Sequence, residues 1–174
     1  MEYMLQPATP EHLHLVLTWV TTPELLQLWG GATLTFPPLV DRVWHEIGAT
    51  SQNTFSLIDP AGEVVGFGQT LLRKSRTVHL ARIIVSPMMR GKGLGRLLCR
   101  ELIQRGATCH QPSQFTLSVY KNNTPAFNLY TSLGFTVWSE DREHNALTMG
   151  LRLPPSVNLD VKTTNDSSST CSNA

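Results

Sequence analysis

The stretch VSPMMRGKGLGRLLCREL, residues 85–102, decides the fold of this chain. Three glycines and three cations stand between an apolar run that ends at Val85 and a run whose apolar residues recur with helical spacing. The pattern predicts a strand, a short loop and a helix in succession. Such an order brings free backbone N–H groups and the positive end of a helix dipole to one point, which suits a diphosphate.

Three classes of diphosphate ligand are candidates for such a loop. A Walker-type nucleotide loop has the pattern GxxxxGK[ST], and this loop lacks both that spacing and the hydroxyl for magnesium. A dinucleotide loop has the pattern GxGxxG with an acidic residue about 20 positions later. Here the glycines are Gly91, Gly93 and Gly95, and the next predicted strand, residues 115–120, has no carboxylate. The pyrophosphate of coenzyme A is the third candidate.

The composition of the chain sets wider bounds. Its 174 residues are 41% hydrophobic and 16% charged, which suits one domain with a proper core, expected over residues 1–153. A formal net charge of +1 predicts neither a nucleic-acid nor a membrane partner. The three cysteines lack metal-ligand spacing, so no metal is expected.

The two ends of the chain carry further expectations. The N-terminus shows no signal-peptide pattern, and no apolar run approaches the roughly 20 residues that span a bilayer, so we expect a cytoplasmic protein. Residues 154–174 are polar and rich in Ser, Thr and Asn, and they are predicted to form a flexible tail.

Hydrophobic periodicity predicts alternating helices and strands. Helices are expected to begin near Thr9, Thr22, Leu39, Leu94 and Thr124. Alternating or continuous apolar runs predict strands at 3–6, 54–58, 63–72, 77–85, 115–120, 135–138 and 146–153. Gly66 and Gly68 inside a strand predict a bulge there.

Two segments resemble the GNAT family of N-acetyltransferases. RGKGLG, residues 90–95, matches the family's Arg/Gln-x-x-Gly-x-Gly/Ala motif, and NTPAFNLYTSLGF, residues 123–135, matches its N-x-x-A-x-x-L-Y-x-x-L-G-F block. The gap between them fits one helix and one strand. The resemblance implies a single α/β (α+β) domain with a mixed sheet of about six to seven strands and about four to five flanking helices. It also implies that the sheet splays at the strand before the glycine loop.

The resemblance implies a binding mode for acetyl-CoA. In the family, the strand before the loop pairs with the pantetheine arm, and loop amides hold the pyrophosphate. Asn123 matches an asparagine that contacts the coenzyme arm, although capping of the next helix is the alternative role. The strand positions are Ile83, Ile84 and Val85, and the loop positions are Arg90, Gly91, Lys92, Gly93, Leu94, Gly95 and Arg96.

Two residues are candidates for proton transfer. Tyr130 matches the tyrosine that commonly protonates the departing thiolate in the family, with core packing as the alternative role. His79 stands where other members carry a glutamate or histidine base, and it titrates in a suitable range. A hydrogen-bonded sheet residue is the equally weighted alternative for His79, and water alone could accept the proton.

The resemblance predicts direct acetyl transfer from acetyl-CoA to a primary amine of a small molecule or peptide. The alternative is a catalytically silent acyl-CoA-binding or sensor module on the same fold. Trp29, Gly30 and Phe36 are the candidate acceptor-binding residues, because the family binds acceptors between its N-terminal helices and a later hairpin. The acceptor itself, the acyl-chain preference and a homodimer remain open.

Overall fold

The sheet and helices follow the predicted order closely. The structure is a computed structural model that describes residues 2–155, so most of the predicted tail lies outside the described residues. The elements are β1 (Met4–Pro7), α1 (Pro10–Leu17), α2 (Pro23–Gly30), α3 (Val40–Glu46), β2 (Thr54–Ile58), β3 (Val64–Arg73), β4 (Thr77–Val85), a 3₁₀ turn (Pro87–Met89), α4 (Leu94–His110), β5 (Gln114–Tyr120), α5 (Thr124–Ser132), β6 (Thr136–Asp141) and β7 (Ala146–Arg152).

One mixed sheet contains all seven strands, in the order β1-β2-β3-β4-β5-β7-β6. β4 and β5 are parallel, and each of the other neighbouring pairs is antiparallel. With five α-helices in the described residues, this arrangement confirms the predicted mixed α/β domain.

β4 and β5 separate halfway along their length. Their register runs only from Thr77 opposite Gln114 to Leu80 opposite Leu117, whereas β4 stays paired with β3 as far as Val85. Arg82 interrupts β4 with a φ of 53°, and the β3–β4 register shifts at this point. The predicted splay is therefore present, and it opens a cleft in the middle of the sheet.

The long helix α4 packs against the sheet and explains the two strand glycines. A Cβ on Gly68 would lie 2.6 Å from Cδ1 of Leu102, and one on Gly66 would lie 3.1 Å from Cδ2 of Leu98. Register shifts do occur beside both glycines, as predicted. Close approach of the helix is a second reason for glycine, which the strand pattern did not reveal.

The N-terminal helices form a second apolar cluster. Leu13, Val16 and Leu26 of α1 and α2 are buried with Phe67 of β3. Because the α4 cluster contains Leu80, Leu98 and Leu102, the sheet separates two cores. Within residues 2–155, no helix is long and apolar enough to span a bilayer.

Candidate active site

Two adjoining cavities occupy the cleft between β4 and β5. The loop-side cavity, of about 440 Å³, borders the glycine loop and the end of β4. The sheet-face cavity, of about 370 Å³, borders β3, β4, β5 and β7. The two share six lining residues, namely Leu28, Trp29, Ile83, Asn123, Ala126 and Tyr130. The cavities therefore meet beside α5.

The glycine loop presents backbone rather than side chains to the loop-side cavity. Gly91 and Gly93 have φ values of 76° and 79°, in the left-handed region where a side chain is strained. A Cβ at either position would meet no atom within 4 Å, so the loop is open on that side. Both glycines line the cavity.

Helix α4 begins without a capping side chain. α1, α2 and α5 are capped by Thr9, Thr22 and Asn123, whereas α4 follows Gly93, which has no side chain to cap it. The first N–H groups of a helix have no partner inside the helix, and the helix dipole makes this end positive. The start of α4 therefore fits the pyrophosphate of coenzyme A.

The cations of the loop are exposed and contact neighbouring segments. Arg90 donates from Nε to the carbonyl of Val85 at 3.3 Å. Arg96 donates to the hydroxyl of Ser132 at 2.8 Å, which ties α4 to α5. Lys92 lies 3.4 Å from the sulfur of Met89. Their positive charge surrounds the open end of α4 and adds to the field of its dipole.

The last three residues of β4 line the loop-side cavity. Ile83, Ile84 and Val85 follow the point where pairing with β5 ends, so no strand covers this edge. Leu94 and Gly95 begin α4 beneath them. This open edge is where the family resemblance puts the pantetheine arm.

Asn123 caps α5 and also lines both cavities, while its predicted contact with the coenzyme arm stays a prediction. Its Oδ1 accepts a hydrogen bond from the amide of Ala126 at 3.3 Å and so caps α5. The same residue lines both cavities. Because the cap uses only the oxygen, the Nδ2 group retains its two donors.

Tyr130 lies on α5 where the two cavities meet. Its ring packs edge-on against Phe135, with ring centroids 6.3 Å apart. Burial raises the pKa of its phenol above the usual value, and the nearby Cys99 thiol raises it further. The phenol therefore keeps its proton at physiological pH, which a proton donor requires.

His79 lines the sheet-face cavity from the centre of β4. Its Nδ1 lies 2.9 Å from Oγ1 of Thr116 on β5. Burial lowers the pKa of His79 to about 4, and the positive charges of Arg73 and Arg82 lower it further. The imidazole is therefore neutral at physiological pH, and it is hydrogen-bonded within the sheet.

The three residues predicted to bind the acceptor lie in different surroundings. Trp29 lines both cavities but is buried, and its Nε1 donates to the carbonyl of Arg82 at 2.8 Å. Gly30 lies in the last turn of α2 and borders the sheet-face cavity, and a Cβ there would lie 2.2 Å from Cδ1 of Leu34. Phe36 is exposed and lines neither cavity.

Sequence reasoning missed several polar residues of the sheet-face cavity. Arg73 ends β3, Arg82 forms the bulge of β4, and Asp141 and His144 reach the cavity from β6 and the turn after it. One signal was available, because Arg82 is a charged residue inside an otherwise apolar strand end. The residues after β6 carried no such signal.

Comparison with known proteins agrees with this geometry. The family model described as the acetyltransferase (GNAT) family matches residues 22–135. The chain belongs to the GNAT acetyltransferase family. Both the predicted family and the predicted acetyltransferase activity are thereby confirmed.

Similar proteins include acetyltransferases of several kinds. An N-acetyltransferase 9-like protein of Nematostella vectensis is 23% identical over 161 residues, which cover 85% of this chain and 81% of that protein. A spermine/spermidine N(1)-acetyltransferase of Bacillus subtilis is 33% identical over 81 residues, or 42% of this chain and 53% of that protein.

A crystal structure with a similar fold is that of spermidine N-acetyltransferase from Vibrio cholerae in complex with CoA and spermine. It aligns with a TM-score of 0.70 over 87% of this GNAT chain and 95% of that chain. The sequence identity is 16%, so this likeness concerns the fold alone.

Proposed function

We propose that this GNAT protein transfers an acetyl group from acetyl-CoA directly to a primary amine of a small molecule or peptide. The observation that carries the proposal is that two cavities with different linings meet beside Tyr130. The loop-side cavity suits the coenzyme, and the sheet-face cavity suits the acceptor. An arrangement of this kind would bring both substrates together in one ternary complex.

The start of α4 and the edge of β4 would hold the coenzyme. The amides of residues 91–96 would contact the pyrophosphate, with Arg90, Lys92 and Arg96 adding positive charge around it. The uncovered edge of Ile83, Ile84 and Val85 would pair with the pantetheine arm, and Nδ2 of Asn123 would add a donor. Bound acetyl-CoA supplies the thioester carbonyl that the amine attacks.

Tyr130 would assist the departure of the thiol. Attack of the neutral amine on the carbonyl forms a C–N bond, and collapse of the tetrahedral adduct breaks the C–S bond. The phenol of Tyr130 would donate its proton as negative charge develops on sulfur. Water accepts the excess proton from nitrogen and returns a proton to the Tyr130 phenolate, so the products are an amide and a free thiol.

His79 would orient the amine or a water molecule rather than act as a strong base. Its pKa of about 4 lies far below the value of roughly 10.4 that is typical of a primary alkyl ammonium group. Proton transfer from such an ammonium to His79 is therefore uphill. We propose that water is the final proton acceptor and that the neutral imidazole, held by Thr116, orients the amine or a water molecule.

The acceptor would enter beside α2. Trp29 and Gly30 would shape the wall of the sheet-face cavity, with Trp29 held by its hydrogen bond to Arg82. A role for Phe36 in acceptor binding stays a prediction, because Phe36 is exposed and lines neither cavity. A cytoplasmic location, a homodimer and the absence of a metal requirement remain predictions.

The deciding experiment follows thiol release from acetyl-CoA over a broad panel of amines. Replacing Tyr130 with Phe is expected to lower kcat by about 10²- to 10⁴-fold and to leave the Kd of coenzyme A nearly unchanged. Tyr3→Phe is the matched control, because Tyr3 also packs against the core but lines neither cavity.

Two results would count against the proposal. Unchanged turnover in Tyr130→Phe on a verified substrate would remove Tyr130 from the mechanism. Tight binding of acetyl-CoA without acetylation of any amine would instead favour the catalytically silent acyl-CoA-binding module.

A further inference from the structure

The sheet-face cavity contains two arginines that form no ion pair with a described carboxylate. Arg73 and Arg82 both line it, and both lower the pKa of His79, so their charges reach the centre of the cavity. The ion pairs of residues 2–155 include neither arginine, because they join Lys121 or Arg142 to Glu140 and His144 to Asp141.

Arg82 is held in place by a neutral group. Its guanidinium donates to Oε1 of Gln69 at 2.8 Å. The amide of this buried glutamine in turn donates to Oγ1 of Thr54 at 2.9 Å and to the carbonyl of Ile47 at 3.3 Å. Nε of Arg82 is buried and has no hydrogen-bond partner in the described chain. The network therefore positions Arg82 firmly but leaves its charge unneutralised.

Asp141 is the only carboxylate among the described lining residues, and it is already engaged. Its Oδ2 lies 2.8 Å from Nδ1 of His144, and its Oδ1 accepts from the amide of the same residue at 3.1 Å. The hydrogen bond and the charge of Asp141 raise the pKa of His144, which favours the ion pair. The charge left in the cavity comes from the two arginines.

We propose that the acceptor is a small amine that also carries an anionic group, a carboxylate or a phosphate, which Arg82 and Arg73 bind. The inference rests on the proposed acetyl transfer and names the class of acceptor. An arginine fork binds either group through two parallel hydrogen bonds, and both arginines line the cavity without a carboxylate partner among the described residues.

Charge also argues against a polyamine acceptor. Spermine and spermidine, which are named for several similar proteins, carry several cations and no anion. Bringing such a cation beside Arg73 and Arg82 adds like-charge repulsion in a half-buried site. The positive electrostatic potential of the two arginines attracts an anionic group and directs it to the β3–β4 side of the cavity.

The experiment compares amines that differ only in the anion. The values of kcat/KM are measured by thiol release. The anionic amines β-alanine and phosphoethanolamine are compared with their neutral counterparts β-alaninamide and ethanolamine, and spermidine represents acceptors with several cations. We expect one of the anionic amines to exceed its neutral counterpart by about ten- to hundredfold, the usual contribution of a hydrogen bond to a charged group.

Variants of the chain test which residue is responsible. Arg82→Gln and Arg73→Gln are expected to lower kcat/KM for the anionic amine by a larger factor than kcat/KM for its neutral counterpart, while the Kd of coenzyme A stays nearly unchanged. Lys74→Gln is the matched control, because Lys74 is an exposed neighbouring cation that lines neither cavity. An unchanged coenzyme affinity in Arg82→Gln also reports that the variant is folded.

The possible failures are distinguishable. Preference for neutral amines or spermidine, with coenzyme binding and acetylation intact, would overturn this inference alone. An anion preference that survives in both arginine variants would also overturn it. Failure of every amine, charged or not, would overturn the proposed acetyl transfer and this inference with it.

Discussion

Replacement of Gly93 by Ala tests whether coenzyme binding depends on the backbone conformation of the glycine loop. Gly93 has a φ of 79°, and a Cβ there would meet no atom within 4 Å, so Ala introduces backbone strain without a clash. Gly62 offers a matched control in the β2–β3 turn, with a φ of 90° and equally open space. The two variants therefore carry the same kind of strain at different distances from α4.

The two variants are expected to lose similar stability but to differ in their affinity for coenzyme A. An alanine in the left-handed region costs roughly 1–2 kcal/mol, so both variants are expected to lose a similar free energy of unfolding. For a chain of this size, each kcal/mol lowers Tm by about 2–4 °C. Relaxation at residue 93 would also shift the first amides of α4 away from the pyrophosphate. Loss of one hydrogen bond to a charged group raises Kd by about ten- to hundredfold.

The assay is a calorimetric titration of coenzyme A into each folded variant, with Tm measured in parallel. Gly93→Ala is expected to bind more weakly, whereas Gly62→Ala is expected to bind like the unaltered protein. Equal affinities in the two variants, at equal loss of Tm, would refute the assignment of the loop amides to the pyrophosphate.

Two further predictions concern His79 and Asn123. The pKa of His79 is about 4 in the folded chain against 6.5 ordinarily, so the unfolded chain binds more protons between these values and stability falls as pH drops through this window. In His79→Gln, the free energy of unfolding should depend less on pH in this window. In Arg82→Gln, an NMR titration should show a higher pKa for His79, because one positive charge beside it has been removed. An unchanged pKa of His79 in Arg82→Gln would contradict the charge argument. Asn123→Ser preserves a capping oxygen but removes Nδ2, so Tm should hold while coenzyme affinity falls, and Asn123→Ala should lower both. Equal coenzyme affinity in all three proteins would leave Asn123 a cap alone.

Much of the fold was predictable because its signals are local. Thr9 and Thr22 each precede a proline, and both cap the helices that they were expected to begin. Glycines and cations in a strand–loop–helix order predict an anion site without knowledge of distant contacts. The predicted splay of β4 came instead from the family resemblance.

Contacts between distant segments were not predictable in the same way. Trp29 was predicted as an acceptor-binding residue, and nothing in its spacing indicated that its indole is buried and reaches the carbonyl of Arg82, 53 residues away. A Cβ on Gly30 would meet the side chain of Leu34, a contact that the neighbouring sequence did not indicate. Packing partners of this kind depend on how α2 lies across β4.

The sequence by itself determined the family, the sheet-and-helix order and the loop at the start of α4, because each depends on residues close together in the chain. Only the tertiary structure decided the character of the sheet-face cavity. Arg73, Arg82, Asp141 and His144 come from different elements, and neither their proximity nor their pairing follows from spacing. The electrostatic potential at a bound acceptor is the sum of the contributions of all nearby charged groups. These groups are distant in the sequence, and only the fold brings them together.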